Sequence, residues 1–428
     1  MGEQTDEPID FLAGDRMIPR RGGIGNNLRR IHINKFLGGM KMADYSRRMF
    51  LGSAGLAAGL AAVEASTAAA AEQAEPARGG DDSLPEFRYE IEKSHGKVVG
   101  GNSAREATVR QLPISVGLAG VSMRLEPGGM RELHWHAIAA EWAFMIEGRC
   151  RTTVIAPDGS SEINDFNPGD VWYFPRGHGH SLQGLGPGTC HFVLVFDSGS
   201  FSEFGTFSVT DWLAHTPKNI VAQNLGLPVD IVEKLPNHEV YFARGKVPEP
   251  IPDMPHRRGL VSPAFTHRYQ LMEQSPSGEF QGGKEWRVSS REFPIAQSIT
   301  GVILDLEPGA LRELHWHPNA DEWQYIIKGE YEIGVFGSGG RARHETFKPG
   351  DVGYIPRGYG HYIHNKSKET GRILIAFNTG EYQEISLSTW LASNPDTLLT
   401  ENLELDRKPV DRLPKERIFI APERPPIP

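Results

Sequence analysis

The sequence predicts an all-β-dominated protein made of two tandem barrels, each followed by short C-terminal helices. Three observations lead there. One motif set is written twice at a constant spacing, with His134, His136 and Glu141 each 181 residues before His315, His317 and Glu322. Short runs of alternating apolar residues lie between turn residues, the pattern of half-buried strands. The 48 glycines and 31 prolines favour short strands over long helices.

A chain of 428 residues suits two or three domains, and 39% hydrophobic residues can build real cores. The net charge is -9 and no basic patch is interleaved with aromatics, which argues against a nucleic-acid partner. Cys150 and Cys190 are the only cysteines, so neither a disulfide framework nor a Cys-x-x-Cys zinc site is available. Two unpaired buried thiols are the expectation, with pairing as the alternative in an oxidising compartment.

Taken in order, residues 1–71 form an extension and leader. Arg47-Arg48 precedes an uncharged run from Met49 to Val63, too short and weakly apolar to span a bilayer, and the alanines end near Ala71. The arginine pair followed by Phe50-Leu51 resembles a twin-arginine export signal, which implies a periplasmic or secreted protein without a stable membrane anchor. Met42 would be a more usual start for such a leader. Residues 72–255 are the arm and first barrel, and residues 256–428 the second. Between them, 246–263 is proline-rich and reads as a semi-extended linker.

Within each copy, Val121, Met123 and Leu125 alternate with other residues, as do Val302, Leu304 and Leu306. Pro157-Asp158-Gly159 is a hairpin turn, and Gly337 to Gly340 is another. Thr210-Asp211 and Ser388-Thr389 are the expected caps of the late helices. Further matches at 181 are Glu126-Pro127-Gly128 with Glu307-Pro308-Gly309, and Pro168-Gly169-Asp170 with Pro349-Gly350-Asp351. Beyond Phe196 the spacing falls to 178, as in Trp212 with Trp390, so copy one carries three extra residues there.

His134 and His136 lie two apart, so a strand would project both rings from one face. Glu141 has the wrong parity for the same strand and needs a turn at 137–140 before a new one. Both His178 and His180 could complete the set, but copy two has Tyr359 opposite His178 and His361 opposite His180. The spacing therefore selects His180. Three imidazoles and a carboxylate suit divalent Mn, Fe, Co, Ni or Zn.

The run Gly128, His134, His136, Glu141 followed by Pro175, Gly177 and His180, repeated as Gly309, His315, His317, Glu322, Pro356, Gly358 and His361, resembles the cupin motifs. Over about residues 85–415 the chain resembles the bicupin oxalate decarboxylases. Arg-Glu-Leu-His-Trp-His, the 211–218 segment and Gly282-Gly283-Lys284 carry that likeness. It implies two double-stranded β-helix (jelly-roll) cupin barrels, two Mn ions per chain, dioxygen as a cofactor, and oxalate as substrate. Formate and carbon dioxide would be the products, and a trimer or hexamer the assembly. Arg131 and Arg312 stand where such enzymes hold a substrate-binding arginine, although three residues before a ligand is the opposite face of a straight strand.

The three-residue surplus falls where these enzymes carry a lid over the N-terminal site. The resemblance makes Glu203 the lid acid that delivers a proton to carbon. Phe204 and Gly205 depart from the polar pair usual there, which bears on lid closure and on the balance between decarboxylase and oxidase outcomes. Ile375 replaces a glutamate near the C-terminal metal. Copy two thus lacks both the lid and that carboxylate, so its metal is expected to serve structure or electron transfer, with catalysis in copy one. Two rivals are an oxalate oxidase releasing hydrogen peroxide and a non-catalytic metal-binding bicupin.

Overall fold

A computed structural model describes residues 84–251 and 265–424. The leader and most of the inter-barrel linker lie outside these. Each barrel is two sheets face to face. In the first, one sheet runs 268–269, 171–174, 141–147, 190–196, 119–125, 102–107, 96–99 in spatial order. The other runs 207–208, 129–135, 179–184, 150–155, 161–166, with 242–244 also pairing with 129–135. The second barrel repeats this arrangement, and the short helices follow each barrel as expected.

The arms are exchanged. Arg88–Glu90, which precedes the first barrel, pairs with Asp351–Gly353 of the second. Arg268–Tyr269, which precedes the second barrel, pairs with Val171–Trp172 of the first. Ile91 and Leu271 then bury themselves in a core lying between the barrels, separate from the two barrel interiors. Sequence alternation gave no hint of this, because strand pairing across such separations leaves no local signature.

That shared core also explains a departure from the expected pattern. Ala119–Leu125 and Thr300–Leu306 are strands, yet nearly every residue in them is buried on both faces. Their outer faces meet the other barrel. A Cβ on Gly120 would lie 2.0 Å from the Trp323 ring, and one on Gly301 would lie 2.1 Å from Trp142. Each tryptophan occupies the space that the other barrel's glycine leaves.

The Pro157–Gly159 turn joins two strands with Gly159 at φ +83°, a conformation glycine adopts without strain. The helix caps differ from expectation. Ser208, not Thr210, caps Val209–His215, its side chain accepting from the Asp211 amide. Thr210 instead donates to Glu132 at 2.6 Å. In copy two the cap position is Ser386, ahead of Leu387–Ala392. The proline at 217 ends the first helix, and Lys218–Leu225 begins a second. Cys150 and Cys190 are buried and unpaired. Among the described residues no helix is long and apolar enough to cross a membrane.

Candidate active site

His134 sits on the Gly129–Trp135 strand, directly across from His180 on Gly179–Gly184. His136 lies just beyond the strand end, and a turn returns the chain so that Glu141 opens Glu141–Glu147. The turn predicted at 137–140 is what restores Glu141 to the cluster. All four are buried, and one ligand atom from each lies within 4.8 Å of the others. Ring centroids are 5.0 Å apart for His134 and His136, 4.2 Å for His134 and His180, and 4.8 Å for His136 and His180.

His315, His317, Glu322 and His361 repeat the cluster in the second barrel. His315 faces His361 across the strands as His134 faces His180. Both candidate ligand sets assemble.

The donors suit a divalent cation. His136 Nε2, His180 Nε2 and Glu141 Oε2 are buried with no hydrogen-bond partner, a costly state unless an ion satisfies them. His134 Nδ1 donates to the Glu132 carbonyl at 2.7 Å and His180 Nδ1 to the His178 carbonyl at 2.8 Å, leaving Nε2 of each ring as the lone pair. Burial pushes His134 and His136 well below the ordinary imidazole range, helped next by Arg131 at His134 and by His180 at His136, which favours the neutral rings a metal needs. Glu322 is held well below the usual carboxylate range, since His361 and His317 outweigh the upward push of burial.

The carboxylate ligands have outer partners that the sequence did not reveal. Trp172 Nε1 donates to Glu141 Oε1 at 2.7 Å, while Gln324 Nε2 donates to Glu322 Oε1 at 2.5 Å. The two sites use different strands for this bond, because Gly353 occupies the position equivalent to Trp172.

Arg131 points inward despite its parity, and the register gives the reason. His134 pairs with His180, but Arg131 pairs with Leu182. Three residues on one strand oppose two on the other, a β-bulge that turns Arg131 to the ligand side. The same bulge separates Arg312 from His315. Arg131 is fully buried, and each of its three side-chain nitrogens donates one hydrogen bond. Nε donates to Glu203 at 2.7 Å, Nη1 to Glu132 at 3.4 Å and Nη2 to Thr206 at 2.6 Å.

Glu203 is 1% exposed, on a short 3-10 turn that enters the barrel. Tyr241 donates its hydroxyl to Glu203 at 3.0 Å. Glu106 anchors the turn from below, accepting from the Glu203 amide at 2.9 Å and from the Ser202 hydroxyl at 3.0 Å. Burial pushes the Glu203 carboxyl upward, Glu141 adds to this, and Arg131 and Tyr241 oppose it. Phe204 packs against the barrel core, with its ring 6.2 Å from that of Tyr241. Tyr241 itself lies between two cations, Arg131 at 3.9 Å and Lys97 at 4.0 Å from its ring. Phe204 thus fills an apolar contact beside Tyr241.

Copy two holds carboxylates from other positions. Glu384 pairs with Arg312 and accepts from the Tyr382 hydroxyl at 2.5 Å. Glu384 precedes the Ile385–Ser386 strand as Thr206 precedes Phe207–Ser208, so it arises from a different lid position than Glu203. Glu285 also enters the cavity lined by Arg312, His315 and Ile375. It comes from the 283–288 strand, where copy one has Ala104, and so escapes a search for the missing glutamate at 375. Burial raises its carboxyl.

Comparison with known proteins follows the same division. The family described as Cupin matches residues 91–233 and 269–411. Oxalate decarboxylase OxdC of Bacillus subtilis (strain 168) is 44% identical over 337 residues, covering 78% of this chain and 86% of that protein. A probable oxalate decarboxylase of Arthroderma benhamiae is 33% identical over 344 residues, covering 79% and 83%. A solved structure of the Bacillus subtilis enzyme, concerned with its Mn(II) centres, aligns with a TM-score of 0.75 at 41% identity. It covers 81% of this chain and 92% of that one.

Proposed function

Because this chain belongs to the cupin family, with one such domain in each half, we infer that it is a manganese-dependent oxalate decarboxylase. The reaction turns hydrogen oxalate into formate and carbon dioxide, breaking the C–C bond and forming one C–H bond. The observation that carries the assignment to the first barrel is the buried Glu203 carboxyl, held on Arg131 beside the four ligands. His134, His136, Glu141 and His180 would hold one Mn, and His315, His317, Glu322 and His361 another. When bound, manganese with dioxygen supplies Lewis-acid and one-electron chemistry.

Arg131 orients and polarises a substrate carboxylate. Release from Glu203 frees its Nε, which now donates to that carboxylate at 2.7 Å. Protonation of Glu203 weakens that pair, and burial favours its protonation. The same proton is then available for transfer to carbon, with Tyr241 holding the carboxyl in place. Closure of the lid keeps water from the site.

The test follows formate, carbon dioxide and hydrogen peroxide from oxalate on one preparation whose metal content is measured. Glu203→Ala should lower formate production by about 10²–10⁴-fold, with Mn per chain unchanged. Peroxide without formate in the parent chain would make it an oxidase, and full turnover in the variant would remove Glu203 from the chemistry.

We also propose that the chain is exported folded by the twin-arginine route to the periplasm or beyond. Mn binds weakly relative to Zn or Cu, and folding around it before export would protect the loading. Zinc as the main metal in a periplasmic preparation would count against this. Assembly as a homo-oligomer, a trimer or hexamer, is supported by exposed apolar side chains repeated in both barrels. Leu133, Ile155 and Trp212 in the first correspond to Leu314, Phe336 and Trp390 in the second. Light scattering on the purified chain tests it.

A further inference from the structure

Away from both centres, a second pair of histidines meets where the exchanged arm joins the first barrel. His267, just before the Arg268–Tyr269 strand, is 2% exposed. Its Nδ1 faces Glu162 Oε2 at 2.9 Å, so Nδ1 carries the proton and Nε2 the lone pair. That Nε2 is buried with no hydrogen-bond partner. His178, half-buried on the neighbouring turn, has its ring centroid 5.7 Å away, and its Nδ1 is buried without a well-aligned hydrogen bond, beside the carbonyls of Arg176 and Pro175. Glu162 is itself fixed, accepting from Thr266 Oγ1 at 2.6 Å and from the His267 amide at 2.7 Å.

The duplicated fold supplies an internal comparison. The Tyr173 amide donates to the His267 carbonyl at 3.2 Å as the Tyr354 amide does to that of Phe87 at 2.9 Å, so the two positions are equivalent. At the three corresponding places copy two has Phe87, Tyr359 and Arg343. Phe87 packs on Phe347 at 5.6 Å, a plain apolar contact. The same backbone is thus satisfied by packing in one copy. In the other it holds two imidazoles, and a buried polar nitrogen left without a partner is destabilising. Packing alone would not retain that arrangement.

From these positions we propose that His178 and His267 form a third, peripheral metal site for a borderline divalent cation such as Zn(II), with Glu162 as its outer carboxylate. Imidazole suits Zn, Cu and Ni, and a carboxylate on the far ring nitrogen is the usual support of a metal-binding histidine. The 5.7 Å ring separation is close to the 5.4 Å between His317 and His361 in the second centre. Phe174 separates the new site from the first centre, its ring 6.0 Å from His267 and 4.5 Å from His180. One ligand comes from the first barrel and the other from the arm that precedes the second. The ion would pin the arm to its sheet.

The experiment uses the full Mn-loaded chain equilibrated with Zn(II) alone, desalted and analysed for both metals. The expected result is one Zn per chain above an unchanged Mn content. His267→Phe and His178→Tyr, which install the residues of copy two, should each abolish the extra Zn. Tyr359 shows that a tyrosine there still offers its carbonyl to the following ligand histidine, at 3.0 Å to His361. Glu162→Gln should weaken Zn binding by about 10–100-fold while leaving Mn in place, and it guards against a variant that fails to fold. Zn uptake equal in parent and all three variants would overturn the proposal, as would uptake matched by an equal loss of Mn.

Discussion

Replacing Trp172 by Phe should loosen the metal of the first barrel and leave the second untouched. The bond at stake joins Trp172 Nε1 to Glu141 Oε1 at 2.7 Å, and both residues are 0% exposed. Phenylalanine keeps a ring among Phe166 at 5.0 Å and Phe192 at 5.2 Å, so the change removes a donor more than it removes packing. A hydrogen bond to a charged group is worth about 1.5–3 kcal/mol. Loss of such an outer partner typically costs about 10–100-fold in metal affinity, or roughly 1.4–2.7 kcal/mol. The two figures agree in scale. Graded chelation with metal analysis reads the result, and one Mn per chain should leave at lower chelator concentration than in the parent. Gln324→Leu provides the mirror control, since its bond at 2.5 Å serves Glu322 alone. Equal loss from both sites in Trp172→Phe, or no change in either, would refute the argument that these bonds hold the carboxylate ligands separately.

Three further outcomes can be checked. Gly120→Ala must displace the Trp323 ring, 2.0 Å from the new Cβ, and should cost about 1–3 kcal/mol in denaturant unfolding. Glu162 is lowered to about 2 from an ordinary 4.5, burial being outweighed by its bonds to His267 and Thr266. A depressed carboxyl adds stability that is present above pH 4.5 and lost as pH falls towards 2, and solvent screening of this part-exposed group keeps its size below the full shift. With chelator present, Glu162→Gln should therefore be less stable than the parent at pH 6, and the gap should close towards pH 2. Tyr241→Phe removes the hydroxyl from Glu203 and should slow formate release about 10-fold, the scale of one hydrogen bond, with Mn retained.

The parts of the site legible in the sequence were those the duplication wrote twice. His180 stands apart from His178 because only its position recurs as histidine, and the structure sets it opposite His134. Arg131 was suggested by resemblance, while its inward turn needed a bulge visible only in the cross-strand register. Trp172 and Gln324 serve the same purpose from non-equivalent strands, so no repeated spacing could expose them. Glu285 and Glu384 leave no repeated signal for a related reason: each reaches the second centre from a position where copy one has a different residue, Ala104 or Thr206. Thr210 reads as the cap in sequence, but its hydroxyl is taken by Glu132 and Ser208 caps the helix. Local sequence reports periodicity and turns well, but not which of two nearby hydroxyls a distant carboxylate will claim.

The exchanged arms make the two barrels poor candidates for life apart. A chain cut in the linker would give each fragment a strand whose partner lies in the other, and each barrel would expose the sheet edge that strand covers. Such edges invite pairing with whatever extended chain is nearby. The two fragments made separately would tend to aggregate, whereas made together they could find one another by mutual strand donation. That turns the duplicated chain into a natural split reporter: manganese retained by mixed fragments would count the pairs that had completed the exchange.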